Sequence, residues 1–349
     1  MKFWKNKNVF ITGHTGFKGS WLTLWLLQLE ASVTGYSLKP ELKKNLFDEL
    51  NLEKKIKKNY YEDIRDYKKL YKALKLSKAD VVFHLAAQPL VLESYNKPIE
   101  TFQTNVLGTA NLLQACRDTK IKSVIIVTTD KCYENKEWIY GYREVDRLGG
   151  YDPYSSSKAC VELLTSSFNN SFFKNTKTNL ATVRAGNVIG GGDWSKNRIV
   201  PDIIQSLNNY NKLKIRNKNS TRPWQHVLEP LSGYLKLARL LYTNKKYSGP
   251  WNFGPNEKDN LTVKEITKLF LKNLPKKSLK VEYLKKKQNN HEASLLLLDI
   301  SKVKKYLGWN PKWNCETAIK AVIEWNKYYL LGKSYEIMKK QIFDYNANL

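Results

Sequence analysis

The stretch Val9-Phe10-Ile11-Thr12-Gly13-His14-Thr15-Gly16-Phe17-Lys18-Gly19, running on into the apolar segment Trp21 to Leu29, decides how the rest of this 349-residue chain is read. A short run rich in β-formers reads as a buried strand, three glycines crowd the turn after it, and the segment beyond has the look of a helix. In that context each glycine has its own use: Gly13 for a tight turn, Gly16 for close approach of a pyrophosphate to backbone, Gly19 for close packing of helix on strand. The helix start then offers unpaired N–H groups to phosphates, with Thr15, Phe17 and Lys18 beside them. The alternative is a glycine turn without a ligand. The apolar run follows basic residues as a signal-peptide core does, but the strand and glycine loop in front of it make it a helix of a globular domain.

Working outward, the same rhythm recurs: apolar runs at 32–37, 80–86, 123–129 and 181–184 alternate with helical patterns at about 98–119 and 154–173. Strand, helix, strand at this spacing implies right-handed βαβ units on a parallel sheet. The fold class expected is therefore α/β, a Rossmann-like doubly wound parallel sheet. After Arg184 the rhythm gives way to Gly- and Asn-rich loops, which suits a smaller, mostly helical substrate-binding lobe over the ligand edge of the sheet. The expected division is 1–184 for dinucleotide binding and 185–349 for substrate, with segments near 225–256 returning to the first domain. No run approaches the ~20 apolar residues of a membrane span.

A formal charge of +27 raises nucleic acid as a partner, yet only nine of the 59 basic residues are arginine and the lysines are dispersed. Solvated faces account for them, with a remainder to gather an anionic small molecule, and no nucleic-acid partner is expected. Cys116, Cys132, Cys160 and Cys315 lie far apart without Cys-x-x-Cys or His clusters, so reduced thiols in the cytoplasm and no metal site are the expectation.

The second strand ends in Gly35-Tyr36-Ser37 without the acid that usually holds the adenosine ribose of NAD, and on that feature alone, with Lys39 nearby, NADP would be chosen. Asp63-Ile64 can face the adenine, and Leu85-Ala86-Ala87 after His84 supply small residues where backbone runs close to a cofactor, though His84 also suits a hydrogen-bonded core. Tyr154 and Lys158, spaced i and i+4, share one helix face. A tyrosine titrates near 10 in water and must fall by several units to act as a base near neutrality, which the Lys158 ammonium and a positive nicotinamide would favour. Lys158 would also hold the nicotinamide ribose. Thr129 can hydrogen-bond the hydroxyl to be oxidised, Asp130 is a candidate acid, and Lys131 is either a base or an electrostatic anchor. An acid beside an oxidised hydroxyl suggests that water is eliminated as well; an ordinary polar turn is the alternative.

Thr128 to Trp138, Gly149 to Lys158, Arg184 to Trp194, Arg222 to Tyr234 and Trp251 to Pro255 together resemble the extended short-chain dehydrogenases/reductases, and among them the nucleotide-sugar 4,6-dehydratases of the CDP-glucose branch. The dTDP-glucose and GDP-mannose branches carry Glu where this chain has Lys131. The resemblance implies NAD in place of NADP, a contact of Thr104 with the cofactor, and substrate contacts from Gln88, Asn187, Arg198, Arg216 and Arg222. The region of His291-Glu292-Ala293 departs from the Arg-bearing stretch of the dTDP relatives, and its contact stays open. The resemblance further implies conversion of CDP-glucose to its 4-keto-6-deoxy derivative by an internal redox cycle, a place in deoxysugar synthesis for surface polysaccharide, and a homodimer paired through 98–119 and 154–173. Another nucleotide-sugar dehydratase or an epimerase remains a rival reading. From a different class, so does a non-catalytic dinucleotide sensor or RNA-binding protein.

Overall fold

Strands buried on both faces read as continuous apolar runs, as Val81–His84 and Ser123–Val127 do, and seven strands form one sheet in the computed structural model, which describes residues 2–195, 197–209, 212–275, 279–284 and 293–347. They are β1 (Asn8–Thr12), β2 (Ser32–Ser37), β3 (Lys58–Tyr61), β4 (Val81–His84), β5 (Ser123–Val127), β6 (Asn179–Ala185) and β7 (Gly249–Phe253). Every neighbouring pair is parallel and the spatial order is β7-β6-β5-β4-β1-β2-β3. The order reverses between β1 and β4, where Thr12 stands level with His84. A doubly wound sheet opens its ligand crevice at such a switch point.

Alternate residues supply two separate cores. Val9, Ile11, Val81, Phe83, Ile125 and Val127 pack on one face, and Phe10, Val82, Val124 and Ile126 on the other. The helix Phe17–Gln28 is buried from Gly19 to Leu26, and the C-terminal helix Ser334–Ala347 meets it through an edge contact of Trp25 with Tyr345 at 5.7 Å.

The expected helix over 98–119 is three pieces: Pro98–Phe102, a π-turn Gln103–Leu107, and Gly108–Thr119. Side-chain demands explain the interruption. Asn105 reaches out of the helix to Gln88 and Ser157, while Gly108 lies so close to Ile64 that a Cβ there would come within 2.7 Å. A π-turn also follows the helix Pro153–Phe168 over Asn169–Phe173.

Beyond β6 a third core, including Ile203, Trp224, Phe270 and Val322, is gathered by the helices Ile199–Asn208, Val263–Asn273 and Cys315–Leu330. Two-stranded pairings edge this region: Val188–Ile189 with Gln225–His226, Thr221–Pro223 with Asn260–Thr262, and Leu213–Ile215 with Val281–Tyr283. Among the described residues no helix is long and apolar enough to cross a membrane.

Candidate active site

The glycine loop closes against the end of β4. Gly13 has φ +71° and its absent Cβ would lie 2.6 Å from the Ala86 nitrogen, so any side chain would force the two loops apart. A Cβ on Gly19 would meet the Gly13 carbonyl oxygen at 2.1 Å, whereas one on Gly16 would meet only that oxygen, at 3.4 Å. Gly16 is thus the open position, exposed at the start of a 12-residue helix that has no side-chain cap and no acid in its first turn. Uncapped N–H groups and the positive helix end suit a pyrophosphate, so the residues present fit a dinucleotide.

Around that loop, the Thr15 hydroxyl pairs with Ser37 at 2.9 Å and donates to the Leu38 carbonyl, joining it to the end of β2. The Asp63 carboxylate is held by the Arg65 guanidinium, and Ile64 is buried. Leu85 and Ala86 donate their N–H groups to the Thr12 carbonyl and hydroxyl. Ala87 follows them in the same loop, and Gln88 folds its side chain onto Leu90 and Thr101. Thr104 is half-buried in the π-turn. His84 is a buried neutral link between Thr12 (2.6 Å) and Thr109 (2.9 Å), drawn down to about 3 by burial and then by Lys158.

Tyr154 and Lys158 enter from the helix Pro153–Phe168, whose start is fixed by Asp152 accepting from the Ser155 N–H at 2.9 Å and by Pro153 in its first turn. Both are buried, and Lys158 Nζ donates to the Val127 carbonyl at 3.2 Å. Thr129, just past β5, donates to Asp130 Oδ1 at 3.0 Å and lies close enough to the Tyr154 phenol to favour its ionised form. The structure therefore brings Thr129, Asp130, Tyr154 and Lys158 together. Asp130 is 2% exposed, and its Oδ2 has no hydrogen-bond partner among the described residues. Lys131 follows on the same 3-10 turn, half-buried, its N–H on the Thr129 hydroxyl.

Charge states follow from this setting. Burial pushes the Asp130 carboxyl above the usual range, against the pull of Lys131, Thr129, Arg222 and Lys18. Burial likewise pushes Tyr154 up to about 12, with Thr129 and Arg198 opposing, and draws Lys158 down to about 8, with Glu162 and Cys132 opposing. In the chain alone, desolvation of the Tyr154 phenol outweighs the groups that would lower it. Lys18 turns out to face both sites. Burial and then Arg198 draw it down to about 8, while Asp130 and Asp193 pull the other way.

The arginines come from beyond β6. Arg198 pairs with Asp193 at 3.2 Å. Arg222 is buried against the Thr221 and Ala293 carbonyls and acts on Asp130. Arg216 acts on Asp202 instead, and Asn187 accepts from the Gln225 N–H through its backbone. His291 and Glu292 lie outside the described residues, and Ala293 shows only its carbonyl at Arg222. No cluster of metal-ligating side chains occurs among the described residues. Two groups escaped the sequence reading. Asn105 and Ser157 tie the glycine-loop side to the Tyr154 helix, and Glu162 pairs with Arg184 behind the site. Of the second, Glu162 alone was visible as spacing, since 154, 158 and 162 fall on one helix face.

A tyrosine and a lysine one turn apart, facing a dinucleotide turn across the carboxyl edge of a parallel sheet, are what the extended short-chain dehydrogenase/reductase class is built on, and this chain is of that class. The sequence model of the GDP-mannose 4,6 dehydratase family matches residues 10–322, and the chain belongs to that family. It is 47% identical to the CDP-glucose 4,6-dehydratase of Salmonella typhimurium over 98% of this chain and 97% of that one. Identity to the dTDP-D-glucose 4,6-dehydratase of Dictyostelium discoideum is 27%, over 65% of this chain and 54% of that one. In fold it is similar to DesIV, a dTDP-glucose 4,6-dehydratase of Streptomyces venezuelae (TM-score 0.79, 21% identity, 91% of this chain and 96% of that one). It is equally similar to the UDP-glucose 4-epimerase of Thermotoga maritima (TM-score 0.80, 21% identity, 93% and 99%).

Proposed function

We propose that this chain is an NAD-dependent CDP-glucose 4,6-dehydratase. The observation that carries the reading is Asp130: a buried carboxyl, held toward its acid form, beside the Thr129 hydroxyl that also meets Tyr154. Oxidising a hydroxyl requires no acid there; expelling water from the next-but-one carbon does. The choice of CDP-glucose rests on the similarity to the Salmonella enzyme over nearly the whole of both chains.

In this reading Gly13, Gly16 and Gly19, with Thr15, Phe17, Lys18, Asp63, Ile64, Leu85, Ala86, Ala87 and Thr104, would hold NAD, whose chemistry would be to store the C4 hydride for return to C6. Tyr154 takes the C4 hydroxyl proton, its phenol needing a nearby positive charge to offset the burial that raises it, and Lys158 would hold the nicotinamide ribose. Thr129 orients that hydroxyl. The C4 ketone acidifies C5–H; that proton leaves on the Lys131 side, to Lys131 as a neutral base or with its ammonium stabilising the enolate. Asp130 protonates the C6 hydroxyl, which departs as water; with a hydride returned to C6 and a proton returned to C5 from the Lys131 side, the product is CDP-4-keto-6-deoxyglucose. Gln88 contacts the sugar, Asn187, Arg198 and Arg222 the diphosphate, and Arg216 the base side, since a guanidinium clamps phosphate with paired hydrogen bonds.

The enzyme works as a cytoplasmic homodimer. Support for the pairing lies in the exposed Ile99, Leu107, Leu163 and Phe172, all within 98–119 and 154–173; the four free cysteines suit a reducing compartment. Incubation with CDP-, dTDP-, UDP- and GDP-sugars tests the function. CDP-glucose should give a product absorbing in alkali without net NADH. Stoichiometric NADH would make this a simple dehydrogenase, and a 4-epimer an epimerase.

A further inference from the structure

Behind the reacting groups lies a buried polar network that the proposed chemistry does not use. Glu162 stands one turn beyond Lys158 on the face that carries Tyr154, and it is 4% exposed. Its Oε1 accepts from the Thr128 hydroxyl at 2.5 Å and from Arg184 Nε at 2.9 Å; its Oε2 accepts from the Thr182 hydroxyl at 2.7 Å and from Arg184 Nη2 at 2.8 Å. Arg184 spends its remaining nitrogen on the Tyr133 hydroxyl at 2.8 Å and the Glu144 carbonyl. Tyr133 in turn donates to Asn252 at 2.7 Å.

We propose that Glu162 is a positioning residue: its carboxylate, itself oriented by Arg184, locks the end of β5 to the helix bearing Tyr154 and Lys158 and supplies the standing negative charge that faces Lys158. The mechanical half follows from Thr128, which is bonded to Glu162 and directly precedes Thr129 and Asp130. The electrostatic half follows from the other groups around Lys158. Cys132, from the 3-10 turn, also favours the ammonium, but burial pushes its thiol well above the ordinary value and keeps it neutral. His84, from the end of β4, is neutral as well, and Lys18, from the first helix, is a cation that opposes Lys158. Tyr154, one turn before Lys158, is pushed up to about 12 and Asp130 is held toward its acid form, both by burial, so among these groups Glu162, paired with Arg184, brings the standing anion.

The claim builds on the assignment of Tyr154 and Lys158 to hydroxyl oxidation, so its test needs a readout that does not depend on turnover. Lysine-selective carbon-13 NMR can follow the Lys158 titration, the signal being identified by its loss in Lys158→Met. Glu162→Gln alone strands the Arg184 charge and is prone to misfold. The neutral pair Glu162→Gln/Arg184→Met removes both charges and is the working variant, with Glu162→Asp as the charge-conserving control. The neutral pair should lower the Lys158 midpoint by about one pH unit, the effect of losing a close opposite charge. The alkaline limb of kcat for C4 oxidation should shift with it while KM for the nucleotide sugar changes less than twofold, and Glu162→Asp should keep the wild-type midpoint. An unmoved midpoint in the neutral pair, or an aspartate variant that behaves like it, would reduce the pair to scaffolding. If the wild type oxidises no nucleotide sugar, the proposed function fails, and the NMR titration still decides the role of Glu162.

Discussion

Two carboxylates serve this site from opposite sides, and they are buried to nearly the same degree: Asp130 is 2% exposed and Glu162 4%. Glu162 accepts four hydrogen bonds, two from an arginine fork. Asp130 accepts one on Oδ1, and its Oδ2 has no partner among the described residues. Burial therefore does not by itself mark a functional acid. A carboxylate that has spent its acceptors on its neighbours orients them, while one that keeps an oxygen unspent, with its charge disfavoured, can exchange a proton.

The sharpest way to break the contrast is at the group that joins both sides. Tyr154→Phe should leave NAD affinity intact and slow C4 oxidation by about 10²–10⁴, as measured by single-turnover NADH absorbance; near-normal turnover would remove Tyr154 from its role. Lys131→Met should cost overall turnover about 10²-fold while C4 oxidation survives. Enzyme-bound NADH should then build up and exchange of C5–H with solvent deuterium should stop; normal exchange would make the lysine structural.

Asp130 also makes a prediction about stability. Its folded-state pKa is raised, first by burial, so the folded protein holds this proton more tightly than the unfolded chain does. The contribution is fully present below the unfolded value of about 4 and is lost as pH rises through the higher folded value. Asp130→Asn, although inactive in elimination, should therefore unfold at a higher temperature than wild type at pH 8, by a few degrees at most. The two curves should converge toward about pH 4. A variant less stable than wild type at pH 8 would mean that Asp130 is bonded as thoroughly as Glu162. The smallest effect concerns the surface lysines: binding to random RNA should be weak at ~150 mM salt and lost on further salting.

Much of the fold was legible in the sequence because its determinants are local. The runs 32–37 and 123–129 correspond to β2 and to β5 with its outgoing turn, and the glycine loop lies between β1 and the first helix. Interruptions of the helix over 98–119 were not legible, since the π-turn answers to Gln88, Ser157 and Ile64, all distant in sequence. The Glu162–Arg184 pair was missed for the same reason: the two residues sit on a helix and a strand, and only packing reveals that they share one buried space. The charge state of Tyr154 depends on how completely its surroundings exclude water, which no spacing records.

The edge strand β7 has a consequence in time. Residues 179–185 are synthesised before residues 249–253, so β6 has no edge partner until 249–253 have been made. Unpaired edges of this kind template wrong pairings. When β7 arrives it brings Asn252 alongside Arg184, and with it the acceptor for Tyr133. The inner wall behind the catalytic groups is thus finished late in synthesis, and a chain released early would lack that wall while already carrying the glycine loop, the tyrosine and the lysine.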